Sequence, residues 1–149
     1  MTARVKVPEI NLSWTTFLRL TVKLAAKIPN KYRTWLMVGT NGFRVGAALY
    51  RSANPDIIKR VNLAYIWAQH YKKRCRQKLV LLGPVLGKIE TPVLIIDDLV
   101  DSGKTVFAVQ KKIRNAESEV AVIFRKPWSK IRPTYYLQVT DKWIVFPWE

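Results

Sequence analysis

The chain has 149 residues, 49% of them apolar and 24% charged, enough for one domain with a real core. No run approaches the ~18 consecutive apolar residues of a membrane span, no signal peptide is expected ahead of the fold, and the lone Cys75 excludes an internal disulfide or a cysteine-built metal site, which fits a reducing cytoplasm. The 26 Lys and Arg against 10 Asp and Glu give a net charge of +16, which favours anionic partners: nucleotides, pyrophosphate, nucleic acid or an anionic membrane surface.

From the N-terminus, Asn11 to Ile28 has helical spacing. Trp14, Leu18, Val22 and Ala25 recur on one stripe, Lys23 and Lys27 are left for water, and Asn11 or Ser13 can cap the start. Pro29-Asn30 ends it. Trp35 to Val38 reads as a short apolar strand, Gly39-Thr40-Asn41-Gly42 as its turn, and Val45 to Tyr50 as a helix stopped near Ser52-Ala-Asn-Pro55. Arg60 to Tyr71 admits two readings. Val61, Leu63, Tyr65 and Trp67 alternate with Asn62, Ala64, Ile66 and Ala68, and this β-branched and aromatic content favours a strand. A helix from Pro55 through Lys73 is the rival. The basic run from Tyr71 to Lys78 follows, then an apolar strand from Leu79 to Leu82.

The most informative stretch is Pro92-Val-Leu-Ile-Ile-Asp-Asp-Leu-Val-Asp-Ser-Gly-Lys-Thr105. Val93 to Ile96 form an unbroken apolar run, expected of a strand buried on both faces of a parallel sheet. Asp97 and Asp98 stand at its end, Asp101 to Thr105 form a small polar loop, and Val106 to about Ile113 is amphipathic. Open α/β sheets hold ligands at the carboxyl ends of their strands, and backbone N–H groups at a helix start bind phosphate. Gly103-Lys104-Thr105 does not make a triphosphate loop: that pattern needs glycine five residues before Gly103, where the chain has Asp98. Two acids followed by a phosphate loop suit a sugar with vicinal hydroxyls and a phosphate at its far end, and the acid pair can hold hydrated Mg²⁺.

Beyond the loop, Glu119 to Phe124 is another apolar run, Tyr135 to Val139 a further strand, and Ile144-Val-Phe146 a last one. Strands alternating with helices imply an α/β fold, a mainly parallel twisted sheet with helices on both faces.

The Pro92–Thr105 stretch resembles the binding signature for phosphoribosyl pyrophosphate (PRPP) in type I phosphoribosyltransferases: four apolar residues, an acidic pair, two aliphatics, then Asp-Ser-Gly-x-Thr. Phe124-Arg-Lys-Pro-Trp128 and Asp141-Lys-Trp-Ile-Val-Phe-Pro-Trp-Glu149 resemble base-binding segments of the 6-oxopurine branch, the xanthine–guanine and hypoxanthine enzymes. The resemblance implies a single domain over residues 1–149, in which 125–149 form a hood over the base. It also implies transfer of a 5-phosphoribosyl group from PRPP to hypoxanthine, guanine or xanthine, with release of pyrophosphate.

The roles it implies are specific. Asp97 and Asp98 hold the ribose hydroxyls and Mg²⁺; Asp101 is the catalytic acid or base near N7; Ser102, Gly103, Lys104 and Thr105 surround the 5′-phosphate, with the Lys104 side chain peripheral. Lys126 donates to the 6-oxo group, Trp143 stacks on the ring, and the main chain near Ile144 meets the base edge. The turn Thr40-Asn41-Gly42 corresponds to the family's pyrophosphate loop, where Ser-Arg-Gly-Gly is usual; here only Gly42 is kept, and Arg44 could supply the missing charge. The run Tyr71 to Lys78, with five basic residues, would be a flap closing over pyrophosphate. A homodimer or tetramer is implied as well. The altered loop and the +16 charge support one alternative, a non-catalytic protein of the same fold that binds nucleic acid or acts as a regulator.

Overall fold

A computed structural model of the chain describes residues 7–72 and 78–149. Its elements in order are β1 (Glu9–Asn11), α1 (Trp14–Lys27), β2 (Thr34–Val38), α2 (Gly39–Ser52), α3 (Pro55–Ile58), β3 (Asn62–Lys72) and β4 (Lys78–Leu86), followed by β5 (Val93–Ile96), β6 (Leu99–Val100), α4 (Lys104–Lys112), β7 (Ser118–Ala121), β8 (Phe124–Arg125), β9 (Gln138–Val139) and β10 (Trp143–Val145). The main sheet runs β4-β3-β2-β5-β7. All its pairs are parallel except β3 with β4.

The central strands show why an apolar run without alternation belongs there. Val93 to Ile96 are all fully buried because each face of β5 is covered by a different layer. Leu94 and Ile96 join a core with Phe17 and Leu24 of α1 and Val45 and Leu49 of α2. Val93 and Ile95 join a second core with Val106 and Val109 of α4. Helices therefore cover both faces, and the acidic pair emerges from the sheet's centre.

The stripe Trp14, Leu18, Val22 of α1 faces outward, at 55%, 43% and 54% exposure, and Phe17, Thr21 and Leu24 face the core instead. Two apolar rows with the same period run along this helix, so periodicity alone does not choose between them. Thr21 is tolerated inside because its hydroxyl donates to the Leu18 carbonyl at 2.8 Å. Ser13 caps the helix, accepting from Thr16 N.

The turn after β2 and the two later apolar runs depart from the sequence reading, whereas Arg60 to Tyr71 follows the strand reading it favoured. Gly39 to Gly42 is the first turn of α2 and not a separate loop, because Gly39 makes the strand-to-helix corner at φ +63°. Arg60 to Tyr71 settles as strand β3 after the short helix α3. The run Glu119 to Phe124 is divided between β7 in the main sheet and β8 in a small β6-β8-β9 sheet, and Tyr135 to Val139 keeps only β9 and a bridge from Tyr135 to Ala121. β1, pairing with β10, and β6 are too short to be visible as apolar patterns. Residues 73–77, the middle of the expected flap and the site of Cys75, lie outside the described residues.

Candidate active site

The carboxyl ends of β2 and β5 open into a crevice of about 620 Å³, within the size range of small-molecule sites. Its walls include Gly39 to Asn41, Asp97 to Val106, Lys126, Trp143, Ile144 and Phe146. Every residue expected to touch the substrate lines it except Gly42, whose role is to let the walls meet. A Cβ on Gly42 would stand 2.6 Å from the Ile96 carbonyl oxygen, so only glycine allows the start of α2 to press against the tip of β5.

At that tip the two acids have different surroundings. Asp97 Oδ1 accepts from Asp98 N at 2.8 Å, and Asp98 Oδ1 accepts from Leu99 N at 2.8 Å. Asp98 Oδ2 accepts from the Asn41 side-chain amide at 3.1 Å. Burial pushes the Asp97 carboxyl well above the usual carboxylate range, and the charge of Asp98 beside it acts in the same direction. Burial also raises Asp98, against opposing hydrogen bonds from Asp97, Leu99 N and Asn41. Both carboxyls are therefore harder to ionise here than in water, and a cation or hydroxyl donors at the site would favour their charged forms.

On either side of the acids a helix begins at the crevice wall. α2 starts from Val38 and α4 from Gly103, and neither cap residue contributes a side-chain hydrogen bond; neither helix has an acidic residue in its first turn. Such helix starts present backbone N–H groups and a partial positive charge to anions. In the second, Gly103 sits at φ +90°, a conformation costly for other residues, and a Cβ there would meet Ile131 at 2.9 Å. Ser102 Oγ accepts from Lys104 N at 3.3 Å, and the exposed Lys104 side chain stands at the rim.

At the turn Thr40-Asn41-Gly42, the neighbouring Arg44 points along the helix face and away from the crevice. Arg44 is not part of the crevice wall; its guanidinium donates to Asn41 Oδ1 at 3.2 Å and lies 5.1 Å from the centroid of the Trp148 ring. It therefore meets the Asn41 side chain, whose amide in turn meets Asp98. Trp148 is fixed in turn by stacking on Phe146 at 4.7 Å and by an edge contact with Phe17.

At the opposite end Lys126 is 6% exposed, and its Nζ donates to the Lys142 carbonyl. Ile144 is buried by pairing with Ile10, while Trp143 leaves 58% of itself exposed beside the crevice. The sequence reading overlooked two contacts here. Trp128 Nε1 donates to Asp101 Oδ1 at 2.7 Å, and Glu149 lines the crevice while accepting from Phe146 N at 2.8 Å. Both lie in segments already singled out, but their direction depends on turns that spacing does not encode.

The chain is an α/β domain whose central strand tip carries paired acids between two helix starts, a geometry suited to a sugar phosphate. No family model matches the sequence. A purine phosphoribosyltransferase from Pyrococcus horikoshii Ot3 superposes with a TM-score of 0.79 at 30% identity, over 95% of this chain and 93% of that one. The Helicobacter pylori xanthine-guanine-hypoxanthine phosphoribosyltransferase shares the fold with a TM-score of 0.75 at 21% identity, over 95% of this chain and 94% of that one. The xanthine-guanine phosphoribosyltransferase of Roseobacter denitrificans is 39% identical over 61 residues, 40% of this chain, and the match spans only 34% of that relative's length. The chain belongs to the purine phosphoribosyltransferases and has their type I fold.

Proposed function

We propose that the protein transfers the 5-phosphoribosyl group of PRPP to N9 of a 6-oxopurine (hypoxanthine, guanine or xanthine), as an enzyme of purine salvage. One observation carries the reading: the starts of α2 and α4 both face one crevice, with the acid pair between them. That order, anion site, hydroxyl acceptors, anion site, matches PRPP from pyrophosphate through ribose to 5′-phosphate.

In the reaction the C1′–N9 bond forms and the C1′–O bond to pyrophosphate breaks, its electron pair leaving with pyrophosphate. The ring proton passes to Asp101, which lines the crevice beside the phosphate loop. The amides of Ser102 to Thr105 hold the 5′-phosphate, and the start of α2 at Thr40 and Asn41 faces the departing pyrophosphate. Asp97 and Asp98 accept from the ribose hydroxyls. Lys126, with three ammonium donors and one engaged by Lys142, meets the 6-oxo group; Trp143 supplies an indole face for the ring, and the Ile144 main chain meets its edge. Residues 125–149 thereby act as the hood of the base pocket.

The donor set fits Mg²⁺: adjacent hard oxygen ligands, both raised by burial, with no group of three or more His, Cys, Asp or Glu able to cage an ion among the described residues. Mg²⁺ keeps waters and substrate oxygens in its shell, so Asp97 and Asp98 would suffice to hold it, and it would neutralise charge on the leaving pyrophosphate.

No helix among the described residues is long and apolar enough to cross a membrane. Assembly into a homodimer or tetramer is supported by exposed apolar side chains on α1 (Trp14, Leu18, Val22) and on β3–β4 (Leu63, Trp67, Leu81, Leu86). The deciding experiment incubates purified protein with Mg²⁺, PRPP and each of the three purines. Formation of a nucleoside monophosphate is expected, and conversion of none of the three would overturn the reading.

A further inference from the structure

Trp128 has no role in the reaction above, yet it touches two groups that do. Its Nε1 donates to Asp101 Oδ1 at 2.7 Å, and Lys126 Nζ lies 5.6 Å from its ring centroid. Burial does not account for its position, because 55% of the residue is exposed. The turn that carries it is strapped over the phosphate loop: Lys126 N donates to the Val100 carbonyl at 2.9 Å and Lys130 N to the Ser102 carbonyl at 3.4 Å. Within the turn, Ser129 N donates to the Lys126 carbonyl at 3.1 Å, and Ile131 is the side chain that packs on Gly103.

We infer that Trp128 is a positioning residue that holds the proton acceptor and the oxo-group donor at the spacing of one purine edge, an inference that rests on the proposed transfer reaction. A carboxylate has two oxygens. The indole N–H occupies Oδ1 of Asp101 and leaves Oδ2 to accept the ring proton, and because the donor is neutral it fixes the carboxylate without pairing it to a cation. An ammonium has three donors; the Lys142 carbonyl takes one, the indole face attracts the charge, and a donor remains for the 6-oxo oxygen. On a 6-oxopurine that oxygen and N7 are neighbours, so one rigid side chain bridging Lys126 and Asp101 aligns both contacts.

Trp128→Phe keeps the ring face and removes the N–H; Trp128→Leu removes both. With hypoxanthine and PRPP, Trp128→Phe is expected to lower kcat about tenfold through lost orientation, with KM for the purine and for PRPP within about twofold. Trp128→Leu is expected to lower kcat equally and also raise KM for the purine about fivefold, the worth of an exposed cation–π contact. In an Asp101→Asn background, Trp128→Phe should have no further effect, because the carboxylate it orients is gone. An unchanged kcat in Trp128→Phe, or an equal loss with and without Asp101, overturns the inference while wild-type turnover leaves the reaction standing. Absence of turnover in the wild type overturns both.

Discussion

The two loops that flank the acid pair are held in place by different means. The loop after β6, proposed to hold the 5′-phosphate, is held by backbone and packing: Gly103 in the left-handed region, Ile131 against it, and main-chain bonds from the 126–131 turn. The turn at the start of α2 lacks the family's arginine and is held by side chains: Arg44 on Trp148, Asn41 on Arg44, and Asp98 on Asn41. A site built from backbone is insensitive to most neighbouring substitutions but intolerant at its glycine. One built from a chain of side chains can be loosened at any link, and each link has a smaller effect than the one nearer the substrate.

Predictions that test this contrast follow in order of size. Asp101→Asn on the phosphate loop should lower kcat about 10²–10⁴-fold, the usual worth of a positioned general base, and steady-state kinetics with hypoxanthine will show whether it does. Gly103→Ala should cost about 1–3 kcal/mol of stability from the left-handed backbone, before any displacement of Ile131, and denaturant titration measures it. On the side-chain-built turn, Asn41→Ala should raise KM for PRPP about tenfold, the loss of one hydrogen bond to a charged group. Arg44→Ala acts one link further away and should raise the same KM by only about two- to threefold, because Asn41 stays but is no longer oriented. An Arg44 effect larger than the Asn41 effect would mean that the guanidinium reaches the ligand itself.

The acids between the loops give a pH test. Folding raises the Asp97 carboxyl, so the folded state binds its proton more tightly than the unfolded chain does. The stability this confers is complete below the unfolded value of about 4 and is lost as pH rises through the higher folded value. Asp97→Asn should therefore raise Tm at pH 7, by about 2–4 °C for each kcal/mol recovered, and the gain should vanish below about pH 4. Mg²⁺ should raise Tm of the wild type at pH 7 more than that of the variant; thermal melts across pH report both.

Much of the site was legible in the sequence because its chemistry is local. Asp97, Asp98 and Asp101 to Thr105 are contiguous, and a strand covered on both faces leaves an unbroken apolar run before them. Val93 to Ile96 could be bounded to the residue for that reason. The strand character of Arg60 to Tyr71 also came through, from alternation and β-branched content.

What tertiary structure alone decided is direction. Trp14, Leu18 and Val22 share a period with Phe17, Thr21 and Leu24, and only packing against α2 and the sheet determined which row is buried. Asn41 and Arg44 stand three residues apart on one helix, yet one reaches Asp98 and the other Trp148, 104 residues further along the chain. Residue order fixes which groups can be neighbours over a turn or two of backbone. Contacts across the crevice depend on how layers settle against each other, and that follows from the sum of many weak packing interactions that no short motif records.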